Sequence, residues 1–141
     1  MDLLSNIIDY GVIGLLVLMS LGAVSILIER ILFFKKLDLK SYSDRRLLEL
    51  DLTNKLYILA AIGSNAPYIG LLGTVLGIIL TFYTIGAAGM MDSGQIMIAL
   101  ALTMKVTAGG LIVAIPSLFS YNFLIRRVKV IITRWEVESG R

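Results

Sequence analysis

Charge is missing from most of this chain, and where it is missing decides what the chain can fold into. Between Asp9 and Glu29 lie 19 uncharged residues, Tyr10 to Ile28. Between Lys55 and Asp92 lie 36, and between Asp92 and Arg126 lie 33 whose only charge is Lys105. A helix needs about 20 mainly apolar residues to cross a bilayer's hydrocarbon core. The three stretches predict an all-α integral membrane protein, a single membrane domain over 1–141. Its transmembrane helices are expected at about 10–30, about 66–86 and about 95–123, with a cytoplasmic helical segment at about 31–65.

The middle stretch is too long for one span. As a helix its 36 residues would cover about 54 Å, against a core of about 30 Å. Ser64-Asn65-Ala66-Pro67 offers a break, because proline suits a helix's first turn and Ser64 or Asn65 can cap it. The second span is therefore expected to open near Pro67, with Leu56 to Ile62 in a separate preceding helix. Pro116 is the other candidate helix break. Gly86 to Gly94 predicts a short turn. Tyr42 to Tyr57 reads as helical, with Ser43 as its cap. Val128, Ile131, Ile132 and Trp135 recur at helical spacing, so the third helix is expected to continue to about 138.

Orientation follows from the basic residues. None lies in 1–28 or 86–94, seven lie in 30–55 and five in 126–141. This predicts an outside N-terminus and a cytoplasmic C-terminus. Hydrophobic types make up 57% and charged types 16%, both far from a soluble domain's average of about 45–50% and about 25%, which agrees with a membrane protein. Cysteine and histidine are absent, which removes disulfides, thiolate sites, the commonest zinc ligands and the usual nucleophile–base pairs. No enzyme activity and no metal are expected, and the clustered charge does not suggest nucleic acid.

The first span is Leu/Val/Ile-rich and suits a lipid-facing helix. The other two carry stripes. Gly70, Gly73, Thr74, Gly77, Thr81 and Thr84 fall on one face of the second span, and Gly73 and Gly77 form a GxxxG pair. Ala99, Thr103, Thr107, Gly110, Ala114 and Ser117 fall on one face of the third. Such faces serve helix packing, or they turn inward around a passage or partner helix in an assembly of several copies. One three-helix chain is not expected to bury both, which points to a homo-oligomer. Lys105 stands about ten residues into the third span, and an ionisable group there is costly. It projects about 200° from Thr103 and Thr107. The spans supply no carboxylate to pair with it, so assembly or partner contact is its expected role, or snorkelling along the helix.

Two long motifs bring a family into view. Ala66-Pro67-Tyr68-Ile69-Gly70-Leu71-Leu72-Gly73-Thr74-Val75-Leu76-Gly77 resembles the "APxxGLLGTVxG" signature of the ExbB/TolQ/MotA proton-channel family. Thr107 to Pro116, followed by Tyr121-Asn122, resembles its "TAxGLxxAIPxxxxYN" third span, and Ile28-Glu29-Arg30 with Phe33-Phe34 resembles the end of its first. The short N-terminus and compact build are most similar to the ExbB branch.

The resemblance implies an inner-membrane motor subunit of Gram-negative bacteria, with no cofactor and protons as the coupling ion. It implies a pentameric ring enclosing an ExbD-like single-span partner with an intramembrane Asp. A TonB-like protein would then energise outer-membrane import of iron chelates and vitamin B12. The family's pore-facing threonines map onto Thr74 and Thr107. Thr103 and Thr81, on the same faces, are candidates for the same lining, and Gly70, Gly73, Gly77, Gly110 and Ala114 for the packing face. Many members carry a Glu one turn before the third-span Thr, where this chain has Leu102. A TolQ-like subunit for outer-membrane integrity and a passive membrane scaffold are the alternatives.

Overall fold

A computed structural model describes residues 2–89 and 92–140. Four α-helices and one 3-10 turn account for nearly all of them. Helix α1 spans Asp2–Lys36. A 3-10 turn, Leu39–Ser41, leads to α2, Arg45–Leu52. Then come α3, Leu56–Ala88, and α4, Ser93–Ser139. Among the described residues three helices, α1, α3 and α4, are long and apolar enough to cross a membrane. Their outward sides expose large apolar residues, including Leu18, Tyr68, Ile112 and Phe119.

Helix α1 runs past its expected 10–30 at both ends, and two further boundaries differ from the sequence expectation. No break occurs at Pro67, and Leu56 to Ile62 is the first part of α3 rather than a separate helix. Proline removes one N–H, from the bond to the carbonyl of Gly63, and clashes with the preceding turn. Neighbouring elements let long apolar helices tolerate this. Here α4 lies against that turn, with Leu118 beside Gly63. Pro116 likewise sits inside α4. The second difference is α2, much shorter than Tyr42 to Tyr57. Its cap is Asp44, not Ser43, and the Asp44 carboxylate accepts the Arg46 N–H at 2.9 Å. It ends at Leu52 with Thr53 as its cap, and Lys55, left-handed at φ 68°, keeps it from running on into α3, since no continuous helix accommodates that conformation.

The turn expected over 86–94 narrows to the residues between Ala88 and Ser93, of which 90 and 91 lie outside the described residues, as does the basic residue Arg141. Gly89, at φ 83°, closes α3 by donating its N–H to the Ile85 carbonyl. Asp92 opens α4.

The helices run up, down and up, so α1 and α4 point the same way with α3 antiparallel, and each touches the other two. At the basic end, Leu48 and Leu52 of α2, Leu56 and Leu59 of α3, and Leu124, Val128, Ile131, Ile132 and Trp135 of α4 form one buried cluster. The α4 residues are the ones whose spacing marked an amphipathic extension. Arg30 ties α1 into this cluster. Its guanidinium, 2% exposed, donates to the Asp51 carbonyl at 2.7 Å, pairs with Glu29 and lies 4.5 Å from the Phe33 ring centre. A cation at those carbonyls complements the C-terminal end of the α2 dipole.

Candidate functional site

The two small stripes meet each other. A β-carbon placed on Gly70 would come within 2.8 Å of the Val106 carbonyl oxygen and 3.1 Å of the Gly110 Cα. One on Gly110 would lie 2.6 Å from the Ala66 carbonyl oxygen and 3.1 Å from the Gly70 Cα. One on Gly73 would lie 2.5 Å from a Val106 methyl, and Gly77 faces the Thr103 side chain. Backbone therefore approaches backbone at Gly70 and Gly110, which only glycine permits. Ala114 packs where all three long helices meet, against Leu16 and Ala66. The middle of each stripe is thus buried within one chain, α3 against α4, while Thr81, Thr84, Ala99 and Thr107 stay half-buried. Sequence periodicity gave each face its direction but not its occupant.

Four oxygen-bearing groups gather in this seam. The Thr74 hydroxyl lies within hydrogen-bond reach of the Thr103 carbonyl at 3.0 Å, the Gly70 carbonyl at 3.3 Å and the Thr107 hydroxyl. The Thr107 hydroxyl also reaches the Gly70 carbonyl at 3.4 Å. Each hydroxyl has one proton to donate and two lone pairs. Two complete arrangements follow. In one, Thr107 donates to Thr74, and Thr74 donates to the Thr103 carbonyl. In the other, Thr74 donates to Thr107, and Thr107 donates to the Gly70 carbonyl. Rotation of two hydroxyls interconverts them with no heavy atom displaced. Among the described residues no buried side-chain nitrogen or oxygen lacks a partner.

Access is unequal. Thr74 is 8% exposed and Thr103 9%, whereas Thr107 is only half-buried. The Thr103 hydroxyl bonds back to the Leu100 carbonyl at 2.6 Å, and only its backbone oxygen joins the Thr74 cluster. Thr81 stands apart, half-buried, with its hydroxyl on the Gly77 carbonyl at 2.8 Å. Pro67 and Pro116 lie inside their helices, away from the hydroxyl cluster. Lys105 is exposed on the side of α4 turned from α3, and Leu102 is exposed as well. The backbone carbonyls of Gly70 and Thr103 are the members of the cluster that residue-type reasoning does not reach. The i, i+4 step from Gly70 to Thr74 was the available signal.

Residues 26–137 match the MotA/TolQ/ExbB proton channel family. The chain belongs to this family. It is 49% identical over 140 residues to "Biopolymer transport protein ExbB" of Aquifex aeolicus, covering 99% of this chain and 95% of that one. It is 48% identical over 134 residues to "Putative biopolymer transport protein ExbB-like 2" of Helicobacter pylori, covering 95% and 89%. The ExbB protein of Neisseria gonorrhoeae matches at 44% over 73 residues, 52% of this chain and 33% of that longer one. As a family member with three helices able to span a bilayer, the chain is a multi-pass membrane protein.

Proposed function

We propose that this chain is the ring-forming subunit of a proton-motive-force-driven motor in a bacterial inner membrane. Several copies, five by family resemblance, surround an ExbD-like single-span protein, and protons crossing at their interface energise a TonB-like protein that drives import of iron chelates and vitamin B12. The N-terminus lies outside and the basic end in the cytoplasm, on the strength of the twelve-to-zero division of Lys and Arg between the segments at the two sides.

The observation that carries this reading is the Thr74–Thr107 hydroxyl pair, with its inner member buried and its outer member still half open. A partner carboxylate or a water at Thr107 would find a hydroxyl donor held from behind by a hydrogen bond from Thr74, each proton staying on its own hydroxyl. Neither hydroxyl has to ionise. The extended polar lining through Thr103 and Thr81 carries less weight, because both hydroxyls are turned back on their own helix.

Thr74→Val and Thr107→Val test it. Valine keeps the shape and removes the hydrogen bond, leaving a buried partner unmet at about 1–3 kcal/mol. Energy-dependent uptake is expected to fall tenfold or more in both variants at normal expression and oligomer size. Thr107→Ser is expected to retain most of it. The passive-scaffold reading draws on a different observation, the mutual burial of the small faces. It predicts near-normal uptake by both valine variants, and that result would remove the hydroxyl pair from the proton path.

A further inference from the structure

The seam between α1 and α4 is left partly open. Small side chains face each other there, Ser20 and Ala23 of α1 and Ser117 and Ser120 of α4. They leave a crevice of about 120 Å³, rimmed by two exposed residues, Val24 and Pro116. Each rim leads to a cation. Lys35 stands eleven residues past Val24, and Arg127 eleven past Pro116. Eleven residues bring an α-helix back to within about 20° of the same direction, about 16–17 Å further along. The two cations also share a level. The Leu16 side chain meets the β-carbon position of Gly109 at 3.6 Å, and from there Lys35 is nineteen residues on and Arg127 eighteen. The helices keep company over this distance, with Ile31 and Phe34 packed on the cluster that holds Leu124 and Val128. Both cations are exposed, and among the described residues neither takes part in an ion pair.

We propose that this crevice seats an anionic phospholipid, with one acyl chain between α1 and α4 and its phosphate between Lys35 and Arg127. Charge decides for this occupant. Two unpaired like charges at one level repel each other, and a shared anion turns that repulsion into attraction. Basic pockets between membrane helices on the cytoplasmic side hold anionic headgroups for this reason. The track is graded as a phospholipid is. Below the cations, seven residues past each rim, stand the apolar Ile31 and Phe123, and then comes the crevice. A helix, about 10–12 Å across with its side chains, cannot enter a gap of this size, whereas a single hydrocarbon chain can. The site depends on the spans crossing a bilayer and not on the Thr74–Thr107 pair.

The purified full-length protein, stripped of lipid in mild detergent, is titrated with phosphatidylglycerol or with phosphatidylcholine of the same chains and followed by native mass spectrometry. Phosphatidylglycerol is expected to bind about tenfold more tightly. Lys35→Gln with Arg127→Gln is expected to abolish that preference. Lys36→Gln with Arg126→Gln removes the same charge about 100° around each helix and is expected to keep it. Ser120→Leu fills the crevice with every charge in place, and it is expected to weaken phosphatidylglycerol binding severalfold. Equal binding of the two lipids, equal loss in the two double variants, or unaltered binding by Ser120→Leu would overturn the proposal.

Discussion

The membrane half and the basic end of this molecule are held together by opposite means. Between Gly70 and Gly110 the helices meet through absent side chains, backbone against backbone. At the basic end Leu48, Leu52, Leu59 and Leu124 are large and wholly buried, and Trp135 is 4% exposed. The difference follows from the solvent. Lipid is as apolar as leucine, so burying leucine between spans gains little, and close approach supplies dispersion and polar contacts instead. Outside the bilayer the expulsion of water drives association, and large apolar side chains serve best. One chain therefore changes its packing chemistry along a single helix: α4 shows Thr103, Gly110 and Ala114 to α3 and then Leu124, Ile132 and Trp135 to the basic cluster.

Three measurements press on that contrast. The largest effect is expected from Leu59→Ala, which opens a cavity in the aqueous cluster and should lower stability by about 2–5 kcal/mol. Thermal unfolding in mild detergent checks it, and sulfate, which strengthens apolar burial, should offset part of the loss. Next comes Gly110→Ala, where one added methyl meets the Ala66 backbone oxygen and must force the helices apart. About 1–3 kcal/mol of destabilisation is expected, with no relief from sulfate. Gly86→Ala, with nothing within 4 Å, is its control and should be neutral or stabilising. Equal sensitivity of Gly86 and Gly110 would erase the distinction between the two regions.

The smallest effect concerns pH. The Tyr42 hydroxyl donates to the Asp51 carboxylate at 2.6 Å. That hydrogen bond, with burial and the Asp51 charge, raises the Tyr42 pKa from 10.0 to about 12. The folded state holds the phenol proton more tightly than the unfolded chain does, so this contribution is complete below pH 10 and lost as pH rises through 12. Tyr42→Phe should flatten the decline in stability of the basic end over that window. The seam, which contains no such group, should be indifferent to it.

How much of this was legible in the sequence depends on the kind of information asked for. The three long helices were, because uncharged runs and bilayer thickness constrain each other. So were the hydroxyls: Thr74 and Thr107 were marked by their stripes and by the family motifs, and they came together. What periodicity lacks is the partner of a face. The stripes of α3 and α4 were read as needing other subunits, although the middle of each had a match inside the chain. Pro67 was read as a boundary because proline's local chemistry was weighed without the neighbour beside Gly63. Lys55 gave no signal at all, since a left-handed lysine is written nowhere in its residue type.

The unbroken length of α4 has a mechanical consequence. Its 47 residues make a rod about 70 Å long. The level of Thr107 divides it unequally, with about 21 Å on the side of Asp92 and about 48 Å on the side of Ser139. A tilt about that level moves the basic tip more than twice as far as the opposite end. In such a tilt a change of an ångström near Asp92 would become a displacement of about 2 Å among Trp135 and its neighbours.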